Sequence, residues 1–238
     1  MYTKKHYVES TEVDSRLNLK LADLFRIMQD VATEDAERLD IGKCATLDKG
    51  FYWVITRYSV TIHKYPKYLE TVNVTTYPQG QNRFIYPRNF IITSQSGEVL
   101  ITASSTWLIL EKATHKIALH VFDGQDVLEE HLDGEEENAI KVEISDPTFI
   151  EERKVRYSDI DLNGHLNNTR YIEYIVDSLG DEFHQNKVIK HITINYDKEV
   201  KIGDVVKLYR KTIDDIDYIQ GKADDKNIFN VLIKSEKA

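Results

Sequence analysis

The sequence predicts an α+β protein made of two repeats, each a long helix wrapped by a curved antiparallel β-sheet. Three observations predict it: a helical apolar period followed by β-rich segments, the return of that order further along the chain, and an acidic run between the two. In the first half Leu21, Leu24, Phe25, Met28, Val31 and Ala32 recur at helical spacing, with Asp23, Arg26, Asp30 and Glu34 between them. That is one apolar stripe on a helix of about five turns, spanning roughly 18–38. The segments 52–63, 71–77, 83–94 and 98–111 follow, rich in β-branched and aromatic residues and separated by turn sequences such as PQGQN and SGE, which reads as an antiparallel meander. In the second half Tyr171, Ile172, Ile175, Val176 and Leu179 mark a helix over about 167–180, and strand-like runs follow at 191–196, 204–211, 217–223 and 227–234.

Two registers tie the halves together. Val8, Glu12, Val13 and Asp14 match Val155, Asp159, Ile160 and Asp161 at an offset of 147, while 60–74 matches 194–208 at an offset of 134, pairing Val60 with Ile194, Lys64 with Lys198 and Glu70 with Asp204. Their recurrence in the same order is the signature of a duplication. Residues 123–137 hold eight acidic side chains and no Lys or Arg, which marks a solvated boundary. The chain therefore divides into an N-terminal repeat at 1–120, an acidic connector at 121–147 and a C-terminal repeat at 148–238.

Composition narrows the function. Hydrophobic residues at 41% supply a core, which sets the chain apart from disordered sequences. A net charge of −9 argues against nucleic acid as a partner. The single cysteine, Cys44, forms no internal disulfide and no cysteine-rich metal site. No stretch reaches the ~18 apolar residues of a membrane span, and no apolar run follows MYTKKHYVES, so a cytoplasmic protein is expected.

The segment DIDLNGHLNN, 159–168, packs two carboxylates, three backbone-competing carboxamides and one imidazole into ten residues. Asp159, Asp161, Asn163 and Gly164 fall at positions 1, 3, 5 and 6 of a calcium loop, but position 12, which needs a bidentate Glu, is Arg170. The preceding FIEERKVRYS alternates like a strand where a helix is required, so no metal is expected. A strand-to-helix turn explains Asn163-Gly164 as a turn dipeptide and Asn167 or Asn168 as a helix N-cap, but it does not explain His165. The equivalent turn in the first half, Asp14 to Asn18, has no histidine, which reads as one copy carrying chemistry and the other released from it.

RYSDIDLNGHLNNTRYIEYIVDSL resembles the signature segment of the acyl-acyl-carrier-protein thioesterases, tandem hotdog enzymes that release fatty acids from their carrier in plants and bacteria. FYWVITRYSVTIHKYPKYLETVNV and ASSTWLILEKATHKI are similar to further segments of that family. By motif position the resemblance implies Asp161, Asn163, His165 and Glu199 as the catalytic group, an acyl-carrier-protein partner and no cofactor. It also implies an acyl tunnel on the first repeat's helix, for which Phe25, Met28 and Trp53 are the candidates. Where plant members carry Cys after the Glu, this chain has Val200, which excludes a thiol nucleophile there.

Thioester hydrolysis needs a nucleophile, a group that handles protons and donors for the oxyanion. His165, oriented by Glu199, serves as general base, and Asp161 either polarises the water or attacks the carbonyl itself. Asn163 positions the water or donates to the carbonyl, with backbone N–H groups at the start of the second helix as further donors. Arg16, Leu17 and Tyr65 stand in the first half near the Asn, His and Glu positions. Lys154, Arg156, Arg170, Lys187, Lys190, Lys198 and Lys201 form a basic rim for an acidic carrier. An acyl-CoA thioesterase, a hotdog hydratase and a catalytically silent acyl-binding regulator are the rivals, and homodimerisation is left open.

Overall fold

The structure, a computed structural model, describes residues 1–81, 83–119, 121–122, 140–161 and 163–238. The acidic run at 123–137 lies outside them. The chain separates into two compact units, one comprising Met1–Lys20 with Arg26–Ala139 and the other Leu21–Phe25 with Ile140–Ala238.

The first unit begins with β1 (Tyr2–Tyr7), followed by α1 (Leu21–Arg38), whose first five residues group with the second unit, then α2 (Lys43–Leu47), β2 (Phe51–Ile62), β3 (Thr71–Pro78), β4 (Tyr86–Ser94) and β5 (Val99–Glu111). Its strands run in the order β1-β3-β4-β5-β2 and the pairs are antiparallel. The stripe read from the sequence is the buried face of α1: Leu21, Leu24, Phe25, Met28, Val31 and Ala32 are all buried, together with Ile27. The inward row of the sheet, Val60, Phe90, Ile92 and Ile101, is buried as well, as expected where alternate strand residues share one face.

One charged pair interrupts this apolar interior. Asp35 of α1 is fully buried and accepts from Arg88 Nη1 of β4 at 2.7 Å and from Arg38 Nη2 at 3.1 Å. Thr76 Oγ1 takes a second bond from Arg88 Nη1 at 3.1 Å.

The second unit holds β6 (Thr148–Lys154), α3 (Asn168–Ser178), α4 (Asp181–Asn186), β7 (Lys187–Tyr196), β8 (Val205–Ile213), β9 (Ile216–Ala223) and β10 (Lys226–Lys237). Its strand order, β6-β8-β9-β10-β7, repeats that of the first unit element for element, again antiparallel. Asn167 caps α3 by accepting from Thr169 N at 2.9 Å, so the capping role falls to the first of the two asparagines. Val142 N donates to Asn195 Oδ1 at 2.6 Å, and Asn195 Nδ2 donates to Ile140 O at 3.0 Å. The end of the segment read as connector is therefore fastened to β7.

The duplication extends to individual backbone bonds. Asp14 N donates to Asn18 O and Asp161 N to His165 O. Leu19 N donates to Pro66 O and Leu166 N to Val200 O, while Lys20 N donates to Glu12 O and Asn167 N to Asp159 O. Each pair obeys the offsets of 147 and 134 seen in the sequence.

Removing the guanidinium of Arg88 leaves the buried Asp35 carboxylate with only the half-exposed Arg38 as counter-charge. Arg88→Ala should lower the free energy of unfolding by about 3–5 kcal/mol in urea melts, with the double variant Asp35→Leu, Arg88→Met recovering most of the loss.

Candidate active site

The loop between β6 and α3 must satisfy its own backbone amides without a ladder partner, and one carboxylate does most of that. Asp161 Oδ1 accepts from Asn163 N at 2.8 Å and from His165 N at 3.2 Å. Asp161 O accepts from Gly164 N at 3.1 Å. Gly164 has φ +82°, a left-handed conformation that side chains resist and glycine adopts freely. Ile160 and Leu166 close the loop with an antiparallel bridge.

A second segment, Asp197–Val200 beyond β7, is bound to this loop by Leu166 N donating to Val200 O at 2.8 Å. The result brings two distant residues together: His165 Nε2 lies 3.3 Å from Glu199 Oε2, with the side chains 14% and 35% exposed. A carboxylate on one ring nitrogen fixes the tautomer and aims the other nitrogen. The arrangement sets an imidazole against a carboxylate, on the loop whose amides Asp161 holds.

Two family models cover nearly the whole chain, the acyl-ACP thioesterase N-terminal domain over residues 1–125 and the acyl-ACP thioesterase C-terminal domain over 142–237. The chain belongs to the acyl-ACP thioesterase family. Among curated relatives, oleoyl-acyl carrier protein thioesterase 1 of Arabidopsis thaliana is 27% identical over 93% of the chain and 67% of its own length. A palmitoyl-acyl carrier protein thioesterase of Gossypium hirsutum is 24% identical over 84% of the chain and 52% of its own length. The chain thus spans roughly half to two thirds of the curated relatives it matches. Two solved structures have the same fold. An acyl-ACP thioesterase from Bacteroides thetaiotaomicron aligns with a TM-score of 0.92 at 23% identity, covering 99% of this chain and 97% of that one. The 12:0-ACP thioesterase from Umbellularia californica aligns with a TM-score of 0.87 at 17% identity, covering 100% and 97%. The tandem hotdog architecture expected from the sequence is therefore the fold of this family member.

Of the four motif residues, His165 and Glu199 meet directly. Asp161 serves the loop through Oδ1, and among the described residues Oδ2 takes no hydrogen bond. Asn163 is exposed, with its backbone rather than its carboxamide engaged. The backbone donors expected at the start of α3 are partly committed. Thr169 N bonds to Asn167 Oδ1 and Arg170 N to Asn167 O, so neither serves an oxyanion.

The first half of the chain holds the same loop with other side chains. Asp14 Oδ1 accepts from Arg16 N and Asn18 N at 2.9 Å each, the same two bonds as Asp161. Asn18, not Leu17, stands at the position of His165. Leu17 stands at that of Gly164, with φ +62°. The offset of 147 that pairs Asp14 with Asp161 gives this register directly, one residue from the Leu17 position read from the sequence. Asn18 Oδ1 accepts from Lys67 Nζ at 2.6 Å, and the phenol of Tyr65, at the position of Glu199, is pushed up by burial with Asp14 adding to the effect.

Sequence reasoning missed two tyrosines. Tyr171 of α3 donates its hydroxyl to Lys198 O, and Tyr196 of β7 donates to Asn168 O, each at 3.4 Å, with the rings T-shaped at 5.5 Å. Burial pushes the Tyr171 phenol up, and the charges of Glu199 and Asp161 push it further, so it remains a donor. Their first-half counterparts are Leu24 and Ile62, and that substitution was the available signal.

Cys44 is exposed, and the Glu37 carboxylate raises its thiol, which makes it a poor nucleophile. Val200 is 1% exposed. The three acyl-tunnel candidates sit in different surroundings. Phe25 and Met28 are buried, Phe25 in the portion grouped with the second unit. Trp53 is half-buried beside Tyr86, Trp107 and Phe122 and donates Nε1 to Ile41 O at 2.7 Å, beyond the end of α1. Met28 precedes that end by ten residues, about 15 Å of helix, with the Asp35–Arg88 pair between.

The carboxylates of the would-be calcium loop already hold protein donors. Asp159 Oδ2 accepts from Tyr174 OH at 3.1 Å and Arg156 N at 2.8 Å, Asp161 binds its two amides, and Arg170 pairs with Glu173. Neither calcium nor EDTA should shift the melting temperature in differential scanning fluorimetry.

Proposed function

We propose that this chain hydrolyses the thioester of fatty acyl-acyl-carrier-protein to a free fatty acid and the carrier thiol, in fatty acid biosynthesis. The observation that carries the reading is the His165–Glu199 pair, held over the Asp161 hub in the half where the other copy has Asn18 and Tyr65. The two family models support the substrate class.

In this mechanism His165, fixed by Glu199, takes a proton from a water molecule as that water attacks the thioester carbonyl. The tetrahedral oxyanion forms within reach of the exposed Asn163 carboxamide, which donates to it. Collapse of the intermediate breaks the C–S bond, and the imidazolium returns its proton to the departing thiolate. Asp161 keeps the loop closed and contributes its negative charge beside the imidazolium. Attack by Asp161 on the carbonyl, through a mixed anhydride, is the alternative nucleophilic route, and 18O from labelled water entering Asp161 during single turnover separates the two. The acyl chain lies against α1, with Phe25, Met28 and Trp53 as contacts. The acyl-CoA reading is separated by hydrolysis assays on matched acyl-carrier-protein and CoA thioesters. The chain works in the cytoplasm as a homodimer on this reading, which cell fractionation and light scattering test; the plant relatives are named as chloroplastic.

His165→Ala should lose roughly 10²–10⁴ in kcat/KM while Cys44→Ala stays near wild type, with melting temperatures reported for both. Asp161→Asn keeps an acceptor for the two loop amides, so it should hold its melting temperature while losing rate on the order of tenfold or more. A folded His165→Ala protein at wild-type rate would remove the imidazole from the mechanism.

A further inference from the structure

The duplication supplies an internal control for the packing behind the site. Four residues of the second half form one layer: Tyr171 of α3, Tyr196 of β7, Gly221 of β9 and Phe229 of β10. The ring of Phe229 lies so close to Gly221 that a Cβ there would come within 2.2 Å of it, an approach that glycine permits in a strand. Tyr171 stands edge to face on Phe229 and on Tyr196, with ring centroids 5.5 Å apart in each case. In the first half Ile62 pairs with Ile101 and Ile101 with Ile92, as Tyr196 pairs with Phe229 and Phe229 with Gly221. Leu24 stands at the position of Tyr171. All four first-half residues are buried aliphatics. Aliphatic packing therefore suffices for the fold, and the exchange for three rings and a glycine is confined to the half that carries His165 and Glu199.

A buried phenol needs an acceptor, and Tyr171, 3% exposed, donates to Lys198 O at 3.4 Å. That carbonyl belongs to the peptide plane joining Lys198 to Glu199, so holding its oxygen fixes the direction in which the Glu199 side chain leaves the backbone. With burial and the nearby charges of Glu199 and Asp161 pushing its phenol up, Tyr171 keeps the proton it donates. The rest of the segment is built alike in both halves. Asp197 N and Lys198 N share Ile228 O at 2.8 and 3.3 Å, as His63 N and Lys64 N share Leu100 O at 3.0 and 3.1 Å. Val200 O and Pro66 O likewise accept from Leu166 N and Leu19 N. The first half makes this segment with Leu24 in place of the hydroxyl, so the backbone does not require Tyr171. The difference falls on the next residue, where the first half has Tyr65 and the second a carboxylate 3.3 Å from His165.

We propose that Tyr171 is a positioning residue for the site: seated on Phe229 and Gly221, it holds the Lys198 carbonyl and through it aims the Glu199 carboxylate at His165. Its effect on turnover rests on the thioesterase reading, and its effect on the His165–Glu199 contact rests on the geometry alone.

Tyr171→Phe keeps the ring and its two edge contacts and removes only the hydroxyl. With fatty acyl-acyl-carrier-protein as substrate, kcat should fall roughly tenfold to hundredfold, with KM within about twofold of wild type and the melting temperature close to it. A residue that acts through Glu199 has nothing to add once that carboxylate is gone, so Tyr171→Phe, Glu199→Gln should turn over within about twofold of Glu199→Gln alone. Tyr174→Phe, which removes a hydroxyl bonded to Asp159 from the same helix, should stay within about twofold of wild type. Losses that multiply in the double variant, an equal loss from Tyr174→Phe, or wild-type kcat for Tyr171→Phe would overturn the positioning role while leaving the hydrolase reading intact. Crystal structures supply a readout independent of activity: the His165–Glu199 contact should be present in wild type and lost in Tyr171→Phe, at more than about 4 Å. A contact kept in the variant would overturn the proposal. Wild-type protein that cleaves neither acyl-carrier-protein nor CoA thioesters would instead overturn the thioesterase reading and the predicted loss of turnover with it, and the crystal structures then decide the geometry.

Discussion

The structure around the site depends on an aspartate carboxylate that satisfies the loop leading into the helix. Buried or half-buried amides outside a ladder need acceptors, and a short loop has few to offer. Asp161 and Asp14 solve this identically, each accepting two backbone N–H groups two and four residues on. Once the loop is closed in this way, the start of the following helix is fixed in register. Everything that distinguishes the two halves is then added to a common backbone.

The second constraint is the pinning of one loop to another. Leu166 N to Val200 O and Leu19 N to Pro66 O bring the two loops of each half together at the same place. In the second half this juxtaposition sets a histidine against a glutamate across 34 positions of sequence. Tyr171 and Tyr196 then brace the two sides, one holding the carbonyl of Lys198 beside Glu199, the other the carbonyl of Asn168 beside the loop. Both tyrosines present an apolar body to the core and a hydroxyl to the backbone, which leucine and isoleucine at the first-half positions do not.

Periodicity made the helices and central strands legible, because burial on one face of each leaves an apolar trace in sequence. β1 left no such trace: YTKKHY pairs only at the edge of the sheet and is mostly exposed, so its composition is that of a solvated segment. α4, DEFHQN, buries only Phe183. Asp35 was hidden for the opposite reason. Among the acidic residues of ATEDAER it looks solvated, yet it falls on the buried stripe, where Arg88 neutralises it. The four candidate residues stood in the sequence as a motif resemblance, but the contact between His165 and Glu199 follows from loop pairing that local pattern does not encode. The offset of 147 marked the duplication and, carried four residues past Asp14, also sets Asn18 rather than Leu17 opposite His165.

That correspondence bears on why His165 is a histidine. In the first half a polar side chain at this position also bridges to the facing loop: Asn18 reaches Lys67, which stands at the position of Lys201. Bridging is therefore a structural need of both copies, and an amide with an ammonium meets it. The second half replaces the amide by an imidazole and sends it to Glu199 instead, leaving Lys201 to face solvent. An imidazole differs from a carboxamide chiefly in exchanging protons near neutral pH, and a lysine released from an internal contact differs chiefly in being available to a partner. On the proposed reading, the physical differences between the two copies fall on proton transfer and on partner attraction.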